Sequence, residues 1–125
     1  MNVNAKKSRR INRLVRDGCL WFDFDISSFN GHELEIIGGI DLSYLYEIEI
    51  KFSNVSFLSG YISLHIDTSK DFLFVHKGSY ETSRMNLPKV RDNSCIFEFK
   101  TDDIDDLPFI VTAEQIEYKY ERVNL

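Results

Sequence analysis

Tyr46-Glu47-Ile48-Glu49-Ile50-Lys51-Phe52 sorts its side chains with a period of two: apolar at 46, 48, 50 and 52, charged at 47, 49 and 51. Only a strand sends alternate residues to opposite faces, so this segment reads as β with one face on a core and the other in water. A helix would scatter the same residues around its circumference.

Working outward, the same alternation recurs. Upstream, Leu20, Phe22, Phe24 and Ile26 oppose Trp21, Asp23 and Asp25 in a first strand that starts at Cys19. Ser27 to Gly31 reads as a turn, with Asn30-Gly31 suited to positive φ. His32, Leu34 and Ile36 follow as a strand closed by Gly38-Gly39. Downstream, Ser53-Asn54 interrupts pairing before Val55 to Leu58, and Gly60 marks a bulge or turn ahead of Ile62, Leu64 and Ile66. Thr68 to Asp71 reads as a hairpin loop leading to Phe72 to His76, which predicts an antiparallel pair. Tyr80, Thr82 and Arg84 suggest an edge strand, and Pro88 with Asp92-Asn93 a loop. Phe97 and Phe99, then Phe109, Val111 and Ala113, restore the alternation. At the end, Ile116, Tyr118, Tyr120 and Arg122 fit a strand, while Ile116, Tyr120 and Val123 also fit a helical face; tyrosine at every second position favours the strand.

Eight or nine short strands without a long helical pattern predict an all-β fold: a single antiparallel β-sandwich or partly closed barrel. The chain has 125 residues, enough for one core, and no internal break resembles a linker. Residues 1–18 are expected as a basic leader, flexible or briefly helical, and residues 19–125 as one β domain. Ten Phe, six Tyr and one Trp supply much of the core. The composition, 43% hydrophobic and 28% charged, excludes intrinsic disorder, and no apolar run approaches the roughly 18 residues of a membrane span.

Charge is unevenly placed. Residues 1–16 hold Lys6, Lys7, Arg9, Arg10, Arg13 and Arg16 with no acid, which leaves 9 basic against 20 acidic residues in 17–125. The acidic body repels phosphates and anionic lipid and favours a basic protein partner, so neither nucleic acid bound to that body nor a membrane is expected. The basic start reads either as a contacting arm or as a solvated leader; Ser8 would cap a short helix with Ile11, Leu14 and Val15 on one face, lying outside the core. No apolar stretch follows it as a secretion signal requires, and the reading is a cytoplasmic protein with Cys19 and Cys95 reduced and packed.

Catalytic motifs are missing: no phosphate-binding glycine loop, CxxC, HExxH or GxSxG occurs. His65 and Asp67 share a strand face, and a hairpin would bring His76 near them as a conceivable metal set. A lone histidine on a strand is more often a surface residue, so no metal and no cofactor are expected, and no enzyme. Asp102, Asp103, Asp105 and Asp106 crowd a polar loop, which suits a solvated turn or a cationic partner better than a glycosidase pair. Trp21 is followed at i+2 and i+4 by outward aspartates, and an exposed tryptophan is a frequent hot spot; a second sheet or the N-terminal segment covering it would make it core instead. The expected partner-binding residues are therefore Trp21, Asp23, Asp25, Asp102, Asp103, Asp105 and Asp106.

The stretch Gly38-Gly39-Ile40-Asp41-Leu42-Ser43-Tyr44-Leu45-Tyr46-Glu47-Ile48-Glu49-Ile50, followed by Phe52 and Val55, resembles small bacterial immunity proteins and uncharacterised bacterial β domains. It carries over a hydrophobic pattern and no catalytic or binding position. The resemblance implies an inhibitor that masks a basic surface of a toxin. A ligand-binding β domain of lipocalin or jelly-roll type, holding a small apolar molecule among its aromatics, is the alternative.

Overall fold

The computed structural model describes residues 3–18, 21–43, 45–76, 90–91, 93–101 and 108–124. Helix α1 (Val3–Gly18) precedes nine strands: β1 (Trp21–Asn30), β2 (Glu33–Gly39), β3 (Leu45–Ser53), β4 (Phe57–Ser59), β5 (Ser63–Asp67), β6 (Leu73–His76), β7 (Cys95–Phe99), β8 (Phe109–Ala113) and β9 (Gln115–Asn124). They form a five-stranded sheet in the order β5-β1-β2-β3-β9 and a four-stranded sheet in the order β4-β8-β7-β6. Every pairing is antiparallel. The architecture is a sandwich, and the sheets do not close into a barrel. The suggested edge strand at 80–84 and Pro88 lie outside the described residues.

The period-two pattern explains the layers. Ile48, Ile50 and Phe52 are fully buried, as are Phe22, Leu34 and Ile116 on neighbouring strands of the same sheet. Opposite them stand Phe97, Phe99 and Val111, also fully buried. The rings meet across the gap: Phe52 lies edge-on to Phe97 at 5.0 Å and to Phe99 at 6.2 Å between centroids. Among the described residues these rings fill the space between the two sheets. Gly38 stands opposite Phe24, and a Cβ built on it would fall 2.4 Å from the Phe24 ring. The missing side chain is the space that ring occupies.

Three local expectations need correcting. The turn expected at 27–31 is shorter, because β1 runs to Asn30 with an irregularity between Ile26 and Ser28 that keeps it paired to β2. Ser27 Oγ donates to the Glu35 carbonyl at that point, and the turn is reduced to Gly31 and His32, with Gly31 at φ +65°. Second, β5 and β6 are not a hairpin: β5 pairs with β1 and β6 with β7, in different sheets. Ser69 folds back onto Asp67, Thr68 is fully buried, and Phe72 enters the core at 1% exposure, so the loop carries the chain across the sandwich.

Third, the basic segment is not outside the core. Helix α1 starts at Val3, places Ser8 in its middle rather than at its cap, and packs against β6 and β9 with Ile11 and Val15 fully buried. Two asparagines on its inner face act as strand substitutes. Asn12 Oδ1 accepts the backbone N–H groups of Phe72 and Leu73, both at 3.0 Å, while its Nδ2 donates to the Leu73 carbonyl at 2.9 Å. Asn4 does the same where β8 passes into β9, donating to the Glu114 carbonyl at 2.9 Å and accepting from Ile116 N–H at 3.3 Å. Eight residues of helix rise about 12 Å, which matches the roughly 10 Å between packed sheets, so one helix reaches an edge of each. Lys7 with Glu117, and Arg16 with Asp71, pin its flanks.

Candidate functional site

Alternation on β1 sends Trp21, Asp23 and Asp25 to the solvent face, and antiparallel register with β5 sets opposite them Asp67, His65 and Ser63. Directly opposed residues share a face within about 5 Å, so these side chains meet. His65 Nδ1 donates to Asp23 Oδ1 at 2.5 Å, and its ring lies flat on Trp21 with centroids 4.8 Å apart and planes 13° from parallel. Trp21 remains 44% exposed. The imidazole, fixed by the carboxylate on one side, holds the indole in one orientation on an otherwise open surface. Such an exposed pair adds little to stability, but it presents a large ring with its rotamer freedom already reduced.

Charge on the strands themselves has one sign, although Lys70 lies near Asp67 and Lys51 of β3 stands opposite Glu35, and Glu33 and Glu35 sit toward the far end of β1 from the ring. The adjacent strands β5, β1 and β2 carry Asp67, Asp23, Asp25, Glu33 and Glu35 and no lysine or arginine. The other half of the sheet neutralises itself, with Arg122 donating to Glu47 at 3.1 Å and Lys119 within 3.5 Å of Glu121. At the acidic end, Asp67 accepts the Ser69 hydroxyl at 2.6 Å and its N–H at 3.0 Å. These two hydrogen bonds, the hydroxyl's above all, together with nearby Lys70, hold its carboxyl below the ordinary value. Beside the ring, Asp23, Asp25, Asp41, Ser43, Ser63 and His65 line an open cleft of about 430 Å³.

Of the residues expected to bind a partner, Trp21, Asp23 and Asp25 lie together on this face; Asp102, Asp103, Asp105 and Asp106 lie outside the described residues. The sequence offers His65 as a metal ligand or a plain surface residue, and its contact with Trp21 depends on a pairing across about forty residues that no local pattern announces. The set His65, Asp67 and His76 is not assembled. His76 stands on the other sheet, where its Nε2 donates to Glu98 Oε1 at 2.8 Å. Among the described residues no cluster of His, Cys, Asp or Glu is arranged to hold a metal ion. Cys95 is buried at 5% exposure, and its Sγ accepts from Asn4 Nδ2 at 3.6 Å. No helix among the described residues is long and apolar enough to cross a membrane. Comparison with models of protein families, with curated proteins and with solved structures finds no match.

Proposed function

We propose that this chain is a protein-binding inhibitor of the immunity type, whose β5-β1-β2 face covers a basic surface of a toxin domain in the cytoplasm. The observation that carries this reading is an exposed Trp21 stacked on His65 beside Asp23, Asp25 and Asp67, on two adjacent strands that carry no lysine or arginine. Interfaces draw most of their binding energy from a few desolvated aromatic or arginine anchors, while surrounding charge steers encounter and selects the partner. Both parts are present on one rigid sheet. A basic partner would place lysine or arginine side chains over the carboxylates and against the indole face, where a cation–π contact adds to the ion pairs.

The test is surface plasmon resonance against a candidate basic toxin domain, at low and high salt. Asp23→Asn with Asp25→Asn should slow association and flatten its salt dependence. Trp21→Ala should mainly speed dissociation, by about 30-fold if the ring is worth about 2 kcal/mol. Unchanged kinetics in both variants, with binding as tight at high salt as at low, would reject the mechanism.

A further inference from the structure

The six cations of α1 divide by position. Lys7 and Arg16 are paired with Glu117 and Asp71 and tie the helix to the sheets. Lys6, Arg9, Arg10 and Arg13 are exposed and recur at i, i+3, i+4 and i+7, which makes them a single stripe along the helix. They line a groove of about 380 Å³ with Lys7 and with Tyr118 of β9. The strand order sets this groove at the edge of the five-stranded sheet opposite β5, so it is separate from the acidic face.

We propose that this stripe binds the phosphodiester backbone of nucleic acid. The four cations, from residue 6 to residue 13, span about 10 Å of helix, while duplex DNA carries one charge per roughly 1.7 Å of its axis, so the stripe faces at least as many phosphates as it has cations. The choice of polyanion follows from what the helix lacks. Its apolar face is consumed by the core, with Ile11 and Val15 fully buried, and its outward residues from 6 to 16 include no large exposed hydrophobic. An anionic bilayer is held by helices that bury an apolar face, and a protein partner by a desolvated anchor. Release of counterions from a polyphosphate needs cations alone. The stripe is also narrow: β9 beside it exposes Glu117 and Glu121, and the body is acidic. A thin linear polyanion can follow the helix, whereas a flat lipid surface would meet those carboxylates. Tyr118 offers the sugar or base an aromatic edge at the groove wall.

The test is fluorescence anisotropy with a labelled mixed-sequence DNA duplex across a salt series. Four phosphate contacts predict a slope of log K against log salt of about −3.6, or about 150-fold weaker binding at 200 mM than at 50 mM salt. Arg10→Gln with Arg13→Gln should halve that slope and weaken binding at least tenfold at 50 mM, with circular dichroism and Tm unchanged because both side chains are exposed and glutamine is a good helix former. Lys6→Gln with Arg10→Gln should act alike, which guards against a local effect of either residue. Lys51→Gln with Lys119→Gln changes net charge equally but lies on the sheet, and should leave the slope intact. Equal loss in that lysine pair would overturn the proposal. So would tighter binding to phosphatidylserine vesicles than to the duplex, or low-salt self-association of the chain with no duplex binding.

Discussion

Asn12→Ala removes a side chain that stands in for a neighbouring strand. Its amide serves two N–H groups and one carbonyl at residues 72 and 73, in a position only 3% exposed. Each buried backbone group left without a partner costs about 1–3 kcal/mol, and the three share one cavity, so their costs overlap and total about 4 kcal/mol. Alanine returns up to about 0.7 kcal/mol through higher helix propensity, leaving a net loss of about 3 kcal/mol. For a domain of this size each kcal/mol moves Tm by about 4 °C, so a fall of about 12 °C is expected. Guanidinium unfolding followed by near-ultraviolet circular dichroism gives the free energy, with Arg16→Gln as a comparison that breaks only an exposed ion pair and costs under about 1 kcal/mol. Asn4→Ala, with two such bonds in a half-buried setting, should fall between them. A loss below about 1 kcal/mol for Asn12→Ala would refute the docked-helix account and return the segment to a leader.

Ser8→Ala should raise stability by about 1 kcal/mol in the same assay, since Ser8 Oγ is buried without a hydrogen-bond partner among the described residues and alanine is the better helix former; a loss would show an unseen partner. Gly38→Ala should cost more than 2 kcal/mol or displace the Phe24 ring, because the added methyl meets that ring at 2.4 Å; two-dimensional NMR of the aromatic protons would reveal an unperturbed ring if this is wrong. The lowered pKa of Asp67 means its folded form favours the charged state, so its contribution to stability is complete above the ordinary value of 3.8 and disappears as pH falls through the lower folded value. Asp67→Asn should therefore flatten the fall of Tm with acid only below about pH 4; an equal slope in both proteins would contradict it.

Alternation made β2, β3 and β9 legible, while β7 and β8 fall where the sequence puts them although both their faces are buried, with Ile96, Ile110 and Thr112 buried like Phe97 and Val111. Local pattern failed where the decision was tertiary. Nothing in Thr68 to Asp71 says that the next strand joins the other sheet, since a buried Thr68 and a buried Phe72 look like any polar-to-apolar boundary. The docking of α1 was hidden for a different reason. The apolar face of Ile11, Leu14 and Val15 is legible, but nothing local says what it covers, and the asparagines that seat it, Asn4 and Asn12, bond to backbone 61 to 110 positions away. The recognition face was half legible: alternation aimed Trp21 outward, but only the pairing of β1 with β5 supplies the His65 ring on which it rests.

The asparagine contacts also bear on the order in which the chain matures. Asn12 joins residue 73, 61 positions away, and Asn4 joins residue 114, 110 positions away. In vectorial synthesis the helix is therefore made first and seated last, after β9 leaves the ribosome. Until then the backbone at residues 72–73 and 114–116 stands open along two sheet edges, each able to template pairing with another chain. The helix closes both at once. Variants that loosen it should accumulate as aggregates during expression before any fault is evident in the purified protein.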